Sequence, residues 1–397
     1  MKKDQLRSCK QLKKALLELI EIKEYESITI SEICSSAGFN RGTFYQNFEN
    51  KDDLLQTIID SKLQEMREIL NKIRIDSIKS MSTSNSVYPL EPLFEFIHHN
   101  ANFFKAVLKD NTINGFRKKM FFAYKSYLGD SLKTPLDNVD RDPLIDDLYL
   151  IFGTSSAMGV IFYLIHEGMH KSSTYITVQF TKIIQTRPHS LILGDMPFKK
   201  STIQYTDEKD PRVDRTVRAL KIAFLKLMKN TQYNRIKIKD ITSLAEYNRS
   251  TFYAHYKAKD QLYYDILKDL KEGMISSLRY IVPKDEMNLN QNPSSPLINL
   301  FSFIYQHRTL LKVLYSEKKF IPGFYSIVYP CIVTFFQEEL EGRIEVDTEI
   351  YCHYLTSTLM SVISFWMLNR AKYSPTYMAE IFEEILQKQP ISNLVYN

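Results

Sequence analysis

Leu12, Ala15, Leu16, Leu19 and Ile20 recur at three- and four-residue steps, which predicts an amphipathic helix ending near Glu24 and Tyr25. Thr29 follows as an N-cap, and Glu32, three residues on, completes a capping box. Ile30, Ile33 and Ala37 then share one face of a short second helix. Gly38 suits a left-handed turn after it. Asn40 caps a third short helix, Arg41–Asn47, whose Phe44 and Phe48 face inward at an i, i+4 spacing. Asn50 caps a fourth helix that opens with Lys51, Asp52, Asp53 and Leu54.

The pattern returns 208 residues later. Leu12–Leu54 aligns without a gap on Leu220–Leu262, and 19 of the 43 positions are identical. The shared residues include Tyr25/Tyr233, Ile33/Ile241, Ala37/Ala245, Asn40/Asn248, Arg41/Arg249, the two Thr-Phe-Tyr triplets and Lys51/Lys259. Weaker echoes follow: Phe96–Lys105 with Phe303–Lys312, Phe162-Tyr163 with Phe365-Trp366, and Ser172–Tyr175 with Ser374–Tyr377. The breaker-rich stretches 77–92 and 283–296 correspond as loops. The chain therefore divides at about Thr186–Asp210, where Pro188, Gly194, Pro197 and a charged run cluster. The expected domains are 1–57, 58–190, a linker over 191–210, 211–265 and 266–397. With only 11 Gly and 14 Pro among 397 residues, the fold class is all-α.

A short helix, a tight turn and a second short helix over a third make a helix-turn-helix unit. Its second short helix presents Arg41, Gly42, Thr43, Tyr45, Gln46 and Asn47 outward. Hydroxyl, amide and cationic groups of this kind suit the major groove of double-stranded DNA. Thr29 and Lys51 stand at helix N-termini, where backbone N–H groups also favour phosphate. The second copy places Lys237, Asn248, Arg249, Ser250, Thr251, Tyr253, His255 and Lys259 on the corresponding face.

These segments resemble the N-terminal domain of the tetracycline-repressor (TetR) family. The matching residues are Thr29, Ile33, Ala37-Gly38, Asn40, Gly42-Thr43, Tyr45, Phe48, Lys51 and Leu54. The resemblance covers about 50 residues in each half. It implies that Thr43, Tyr45 and Lys51 touch phosphates and that Arg41, Gly42 and Gln46 lie at or near base edges. The second copy departs from it at three places: Glu246 stands for Gly38, Ser250 for Gly42 and Lys237 for Thr29. A left-handed conformation at Glu246 costs up to about 1 kcal/mol relative to glycine. Ser250 adds a side chain where close backbone approach is expected, so base preference should differ between copies.

Charge separates the copies as well. Residues 1–57 hold nine Lys/Arg and nine Asp/Glu, whereas residues 209–262 hold thirteen and five. The net +6 of the whole chain thus concentrates on the second copy, which should supply more of the non-specific affinity.

Other stretches add little chemistry. Leu148–Ile165 is an uncharged run of 18 residues, but its Gly, Ser and Thr content points to a buried core or interface helix rather than a membrane span. His166-Glu167-Gly168-Met169-His170 spells a zinc-protease motif, yet Gly168 interrupts the helix that would align the histidines, so no zinc is expected. His98, His99 and His307 fall on regulatory helices as ordinary hydrogen-bonded residues or pocket-lining groups. The stripes Phe94, Phe96, Phe103, Phe104, Phe121, Phe122 and Phe301, Phe303, Tyr305 are expected to pack helices together. Cys9, Cys34, Cys331 and Cys352 form no C-x-x-C pair and suit a reducing cytoplasm. The charged N-terminus has no apolar stretch after it, so no signal peptide is expected. No phosphate-binding loop or nucleophile elbow is present, and neither a cofactor nor an enzymatic activity is expected.

The expected molecule is two tandem TetR-like units, each a three-helix DNA-binding domain followed by a helical regulatory domain. The resemblance implies dimeric operator binding, so the halves should pack as an intramolecular pseudo-dimer through Leu148–Ile165 and Tyr351–Leu368, with a dimer of chains as the alternative. The function implied is a repressor of an asymmetric or imperfectly palindromic operator, controlled by a small-molecule or protein effector. The alternative is a protein-interaction scaffold or co-regulator in which one helix-turn-helix no longer binds DNA.

Overall fold

The computed structural model describes residues 2–80, 90–109, 116–132, 143–186, 211–279, 296–316, 324–369 and 371–388. Every regular element among them is helical. The expected linker over 191–210 lies outside the described residues, as do most of both expected loops, 77–92 and 283–296.

The first half runs α1 (Lys2–Ile22), α2 (Ile30–Ala37), α3 (Arg41–Tyr45), α4 (Lys51–Ser80), α5 (Glu91–His99), α6 (Ala101–Lys109), α7 (Phe116–Leu132), α8 (Pro143–His166) and α9 (Ser173–Thr186). The second runs α10 (Pro211–Met228), α11 (Ile238–Leu244), α12 (Arg249–His255), α13 (Lys259–Arg279), α14 (Pro296–Gln306), α15 (Arg308–Ser316), α16 (Phe324–Leu340), α17 (Thr348–Leu368) and α18 (Pro375–Lys388). A single 3₁₀ turn follows the first helix of each half, at Tyr25–Ser27 and Tyr233–Arg235.

Helix pairing also repeats. In the first half α1 packs on α2 and α6, α4 on α5 and α7, and α5 on α9. In the second half α10 packs on α11 and α15, α13 on α14 and α16, and α14 on α18. The duplication therefore extends through the later helices of each half, where sequence identity has faded. It survives because packing needs apolar residues of suitable volume rather than particular ones.

The contacts divide the chain into two compact units. Unit 1 holds Met1–Thr186 together with His353–Thr358, and unit 2 holds the remaining described residues. In each unit the helix-turn-helix end closes over five wholly buried side chains: Leu12, Leu16, Ile33, Phe44 and Leu54 in the first, and Leu220, Phe224, Ile241, Phe252 and Leu262 in the second. Each pair is separated by the same 208 residues that relate the sequences.

Among the described glycines of unit 1, Gly159 of α8 has the closest neighbours. A Cβ there would lie 2.0 Å from Ser357 Oγ and 2.7 Å from the His353 carbonyl oxygen. Around it, Phe152 meets Tyr354 edge-on at 5.9 Å, and Tyr163 stacks on His353 at 4.4 Å. Over its most apolar 18 residues α8 is long and apolar enough to cross a bilayer, but 89% of that window is buried within the protein.

Two expectations change. The third helix stops at Tyr45 rather than Asn47, and Asn47 instead turns its amide back to the Thr43 carbonyl at 2.8 Å. Phe122 is 53% exposed rather than core, because the α7 sequence places charged and aromatic residues on all sides. The zinc-like motif is not helical. α8 ends at His166, and Gly168 and Met169 both adopt positive φ, so the two histidines share no helix face.

Gly159→Val should lower stability by about 2–3 kcal/mol, because the backbone carbonyl facing it cannot rotate away as a side chain would. Thermal melting of the full chain measures this. An unchanged melting temperature would show that this approach is loose.

Candidate nucleic-acid interface

The turn of the first copy is built as its residues suggest. Thr29 accepts from the Glu32 backbone N–H at 3.3 Å, and the Glu32 carboxylate accepts from the Thr29 N–H at 2.8 Å. Gly38 ends α2 at φ +70°. Asn40 Oδ1 then accepts from the Thr43 N–H at 2.8 Å and starts α3. Asn50 Oδ1 accepts from the Asp53 N–H at 2.9 Å and starts α4.

Glu32 also pairs with Lys23 at the end of α1. That contact, with the Thr29 bonds, lowers its carboxyl to about 2. In the second copy Lys237 takes the Thr29 place, and an ammonium cannot accept a hydrogen bond. Only the reverse half of the box remains, with the Lys237 N–H donating to Asp240 at 2.9 Å.

Glu246 holds the position of Gly38 at φ +61°. The left-handed turn is thus retained despite its cost for a residue with a Cβ, about 1 kcal/mol. A Cβ on Gly38 would meet nothing within 4 Å, so the penalty is one of backbone conformation and not of collision.

The exchange of Gly42 for Ser250 has a local consequence. A Cβ on Gly42 would come within 3.2 Å of Asn40 Oδ1, the atom that caps α3. In the second copy, where that Cβ exists, the Asn248 side chain makes no capping bond.

The side chains expected to face DNA divide into two groups. Tyr45 and Tyr253 project from the protein at 58% and 56% exposure, each edge-on to the buried Phe beside it. Arg41, Gly42, Gln46, Asn248, Arg249 and Ser250 are exposed, with Thr43, Thr251 and His255 half-exposed beside them. Thr29 and Lys237 stand exposed at the first ends of α2 and α11.

Lys51, Lys259 and Asn47 are directed inward. Lys51 Nζ donates to the carbonyls of Tyr25 at 2.8 Å, Glu26 at 3.2 Å and Ile28 at 2.9 Å, and lies 4.4 Å above the Tyr25 ring. An ammonium has three N–H donors, so none is left for a phosphate in this arrangement. Lys259 repeats the contact on Tyr233 at 2.7 Å and Ile236 at 2.9 Å, over the Tyr233 ring at 4.1 Å. Burial lowers its pKa. Beside each ammonium the tyrosine hydroxyl donates to an aspartate, Tyr25 to Asp52 at 2.5 Å and Tyr233 to Asp260. Asn47 Nδ2 reaches Ser8 on α1 at 3.2 Å.

The tyrosine, lysine and aspartate of this clamp recur at an offset of 208 residues, which was a visible clue to a shared structural contact. The clue gave no direction, because a lysine at a helix N-terminus suits phosphate equally well.

The family described as "Bacterial regulatory proteins, tetR family" matches residues 13–58, and "Transcriptional regulator C-terminal region" of the same family matches twice, at 88–186 and 291–388.

The chain belongs to the TetR family.

It is similar to an uncharacterised HTH-type transcriptional regulator of Bacillus subtilis (strain 168), YxbF, at 23% identity over 381 residues, which span 95% of this chain and 96% of that protein. Two successive matches to the TetR C-terminal region account for the repeated regulatory helices, and the chain is a TetR-type transcriptional regulator with a tandem architecture.

Lys51→Met should destabilise the first DNA-binding unit by about 2 kcal/mol, because the carbonyls of Tyr25, Glu26 and Ile28 lose their shared donor. A lysine serving only phosphate would leave unfolding in urea unchanged. Glu32 should titrate near 2 in place of its ordinary 4.5. Its stabilising contribution is complete above about 4.5 and is lost as pH falls towards 2. Carboxyl-carbon NMR follows the midpoint, and Glu32→Gln should flatten the stability profile across that window. A midpoint near 4.5 would remove the Lys23 contact from solution.

Proposed function

We propose that the protein is a cytoplasmic repressor whose two helix-turn-helix units engage the two half-sites of one double-stranded operator. The observation that carries this reading is the shared presentation of α3 and α12. Each begins with an exposed arginine and projects an exposed tyrosine from the same lysine-clamped scaffold. Arg41, Gly42, Gln46 and Arg249, Ser250 then face base edges. Thr29, Asn40, Thr43, Tyr45 and Lys237, Asn248, Thr251, Tyr253, His255 face the phosphates or groove walls. Lys51, Lys259 and Asn47 serve by holding the recognition helix in place.

The units work as an intramolecular pseudo-dimer in this reading. The grouping of His353–Thr358 with unit 1 supports it. Two recognition helices then enter major grooves about 34–36 Å apart. Because Ser250 replaces Gly42 and the α3 cap is altered with it, the half-sites differ and the operator is an imperfect palindrome. An effector, either a small molecule or a protein co-regulator, binds the regulatory helices and shifts the spacing of the recognition helices. The role is regulation and not catalysis. Retention of the left-handed turn at Glu246 favours two DNA-binding units over a scaffold in which the second is silent.

Binding-site selection from random duplexes with the full chain should return one bipartite, imperfectly palindromic motif, and footprinting next to its own gene should protect both half-sites. Perfect palindromes, or a single half-site, would overturn the two-reader operator. Light scattering of the complex should show one chain per operator.

A further inference from the structure

The two recognition arginines occupy the same place in the repeat but differ in what they meet. Arg41 Nε donates to Ser31 Oγ at 2.9 Å, and its Nη2 donates to the same oxygen. Ser31 is the second residue of α2, so the hydroxyl fixes the guanidinium across the turn. Two of the five guanidinium N–H donors are used. Three remain, including both on Nη1, which is enough for a two-pronged contact.

At the Ser31 position the second copy has Lys239, the second residue of α11. An ammonium offers no acceptor to Arg249 and repels it. Both Lys239 and Arg249 are exposed. The substitution is part of a set: Arg235, Lys237 and Lys257 stand where the first copy has Ser27, Thr29 and Glu49.

We propose that Ser31 is a positioning residue that makes Arg41 a stringent reader of a guanine, and that Lys239 turns the equivalent place in the second unit into a phosphate contact, leaving Arg249 a lax reader. This inference rests on the DNA-binding reading above and adds the source of its asymmetry. A guanidinium held before binding loses little freedom when it meets the O6 and N7 of guanine. An untethered one must be ordered at that moment and accepts alternatives. Lys239 adds affinity without sequence information, since each phosphate neutralised steepens the salt dependence by about one unit of slope.

The test uses the full chain, a pool of random-sequence duplexes and salt titrations on one fixed duplex. The wild-type pool should show a sharply preferred guanine in one half-site and a weak preference at the symmetrical position of the other. Ser31→Ala should reduce the sharp preference about tenfold, and Ser31→Thr, which keeps a hydroxyl, should restore it. Lys239→Ser should lower the salt slope by about one and sharpen the weaker half-site. A wild-type motif that persists in Ser31→Ala, or a salt slope unmoved by Lys239→Ser, would overturn this inference and leave the DNA-binding reading intact. A wild-type pool with no motif at all would overturn both.

Discussion

Each helix-turn-helix unit depends on one lysine placed against the polarity of its own helix. Lys51 and Lys259 begin α4 and α13, where the helix dipole disfavours a cation. Backbone carbonyls of the preceding 3₁₀ turn offset that cost, as does the tyrosine ring beneath each ammonium. The clamp fixes where the chain leaves the first helix, and so where the second begins. The turn and the recognition helix are then placed by short-range capping alone. The long α4 carries this frame directly towards the regulatory helices, so the DNA-binding end and the regulatory end of unit 1 share one continuous helix.

Around this fixed frame the two copies have diverged in their polar contacts. The second unit has a network the first lacks. Lys221 Nζ reaches Asp265 at 2.8 Å and Asp269 at 2.6 Å, and the Tyr256 hydroxyl donates to Asp265 at 2.7 Å. Burial of the phenol, helped by those carboxylates, raises the Tyr256 pKa. The first unit has Phe48, Thr57 and Ser61 at the three partner positions: Phe48 is buried, and the Thr57 hydroxyl donates to the Asp53 carbonyl of its own helix at 2.9 Å. The first unit keeps a complete capping box, whereas the second has exchanged it for a basic rim. Both solutions secure the scaffold, but they leave different surfaces facing outward.

Much of this was legible in the residues. Capping side chains announce themselves, because Thr29, Asn40 and Asn50 act within three residues of their own positions. The buried set at Leu12, Leu16, Ile33, Phe44 and Leu54 follows from helical spacing, and the gapless repeat doubles its weight. The contacts that escaped are those that join distant segments through flexible side chains. Lys51 closes on a carbonyl 26 residues away, and Arg41 bends back ten residues to Ser31. Neither destination can be read from spacing, since a long cation reaches solvent, phosphate or backbone equally well. Helix ends were also blurred. α3 is too short for periodicity to fix where it stops, and α4 runs past the point where the DNA-binding signature ends.

The positive φ at Glu246 shows that the second turn keeps its shape with a residue ill suited to it. A tolerance of that kind bears on what the tandem arrangement permits. On the reading proposed above, two separately made chains carrying these units would assort into like pairs as well as the unlike one, and a pair of two second-type readers would hold DNA with little discrimination. The peptide link between the halves gives every chain one of each reader in fixed proportion.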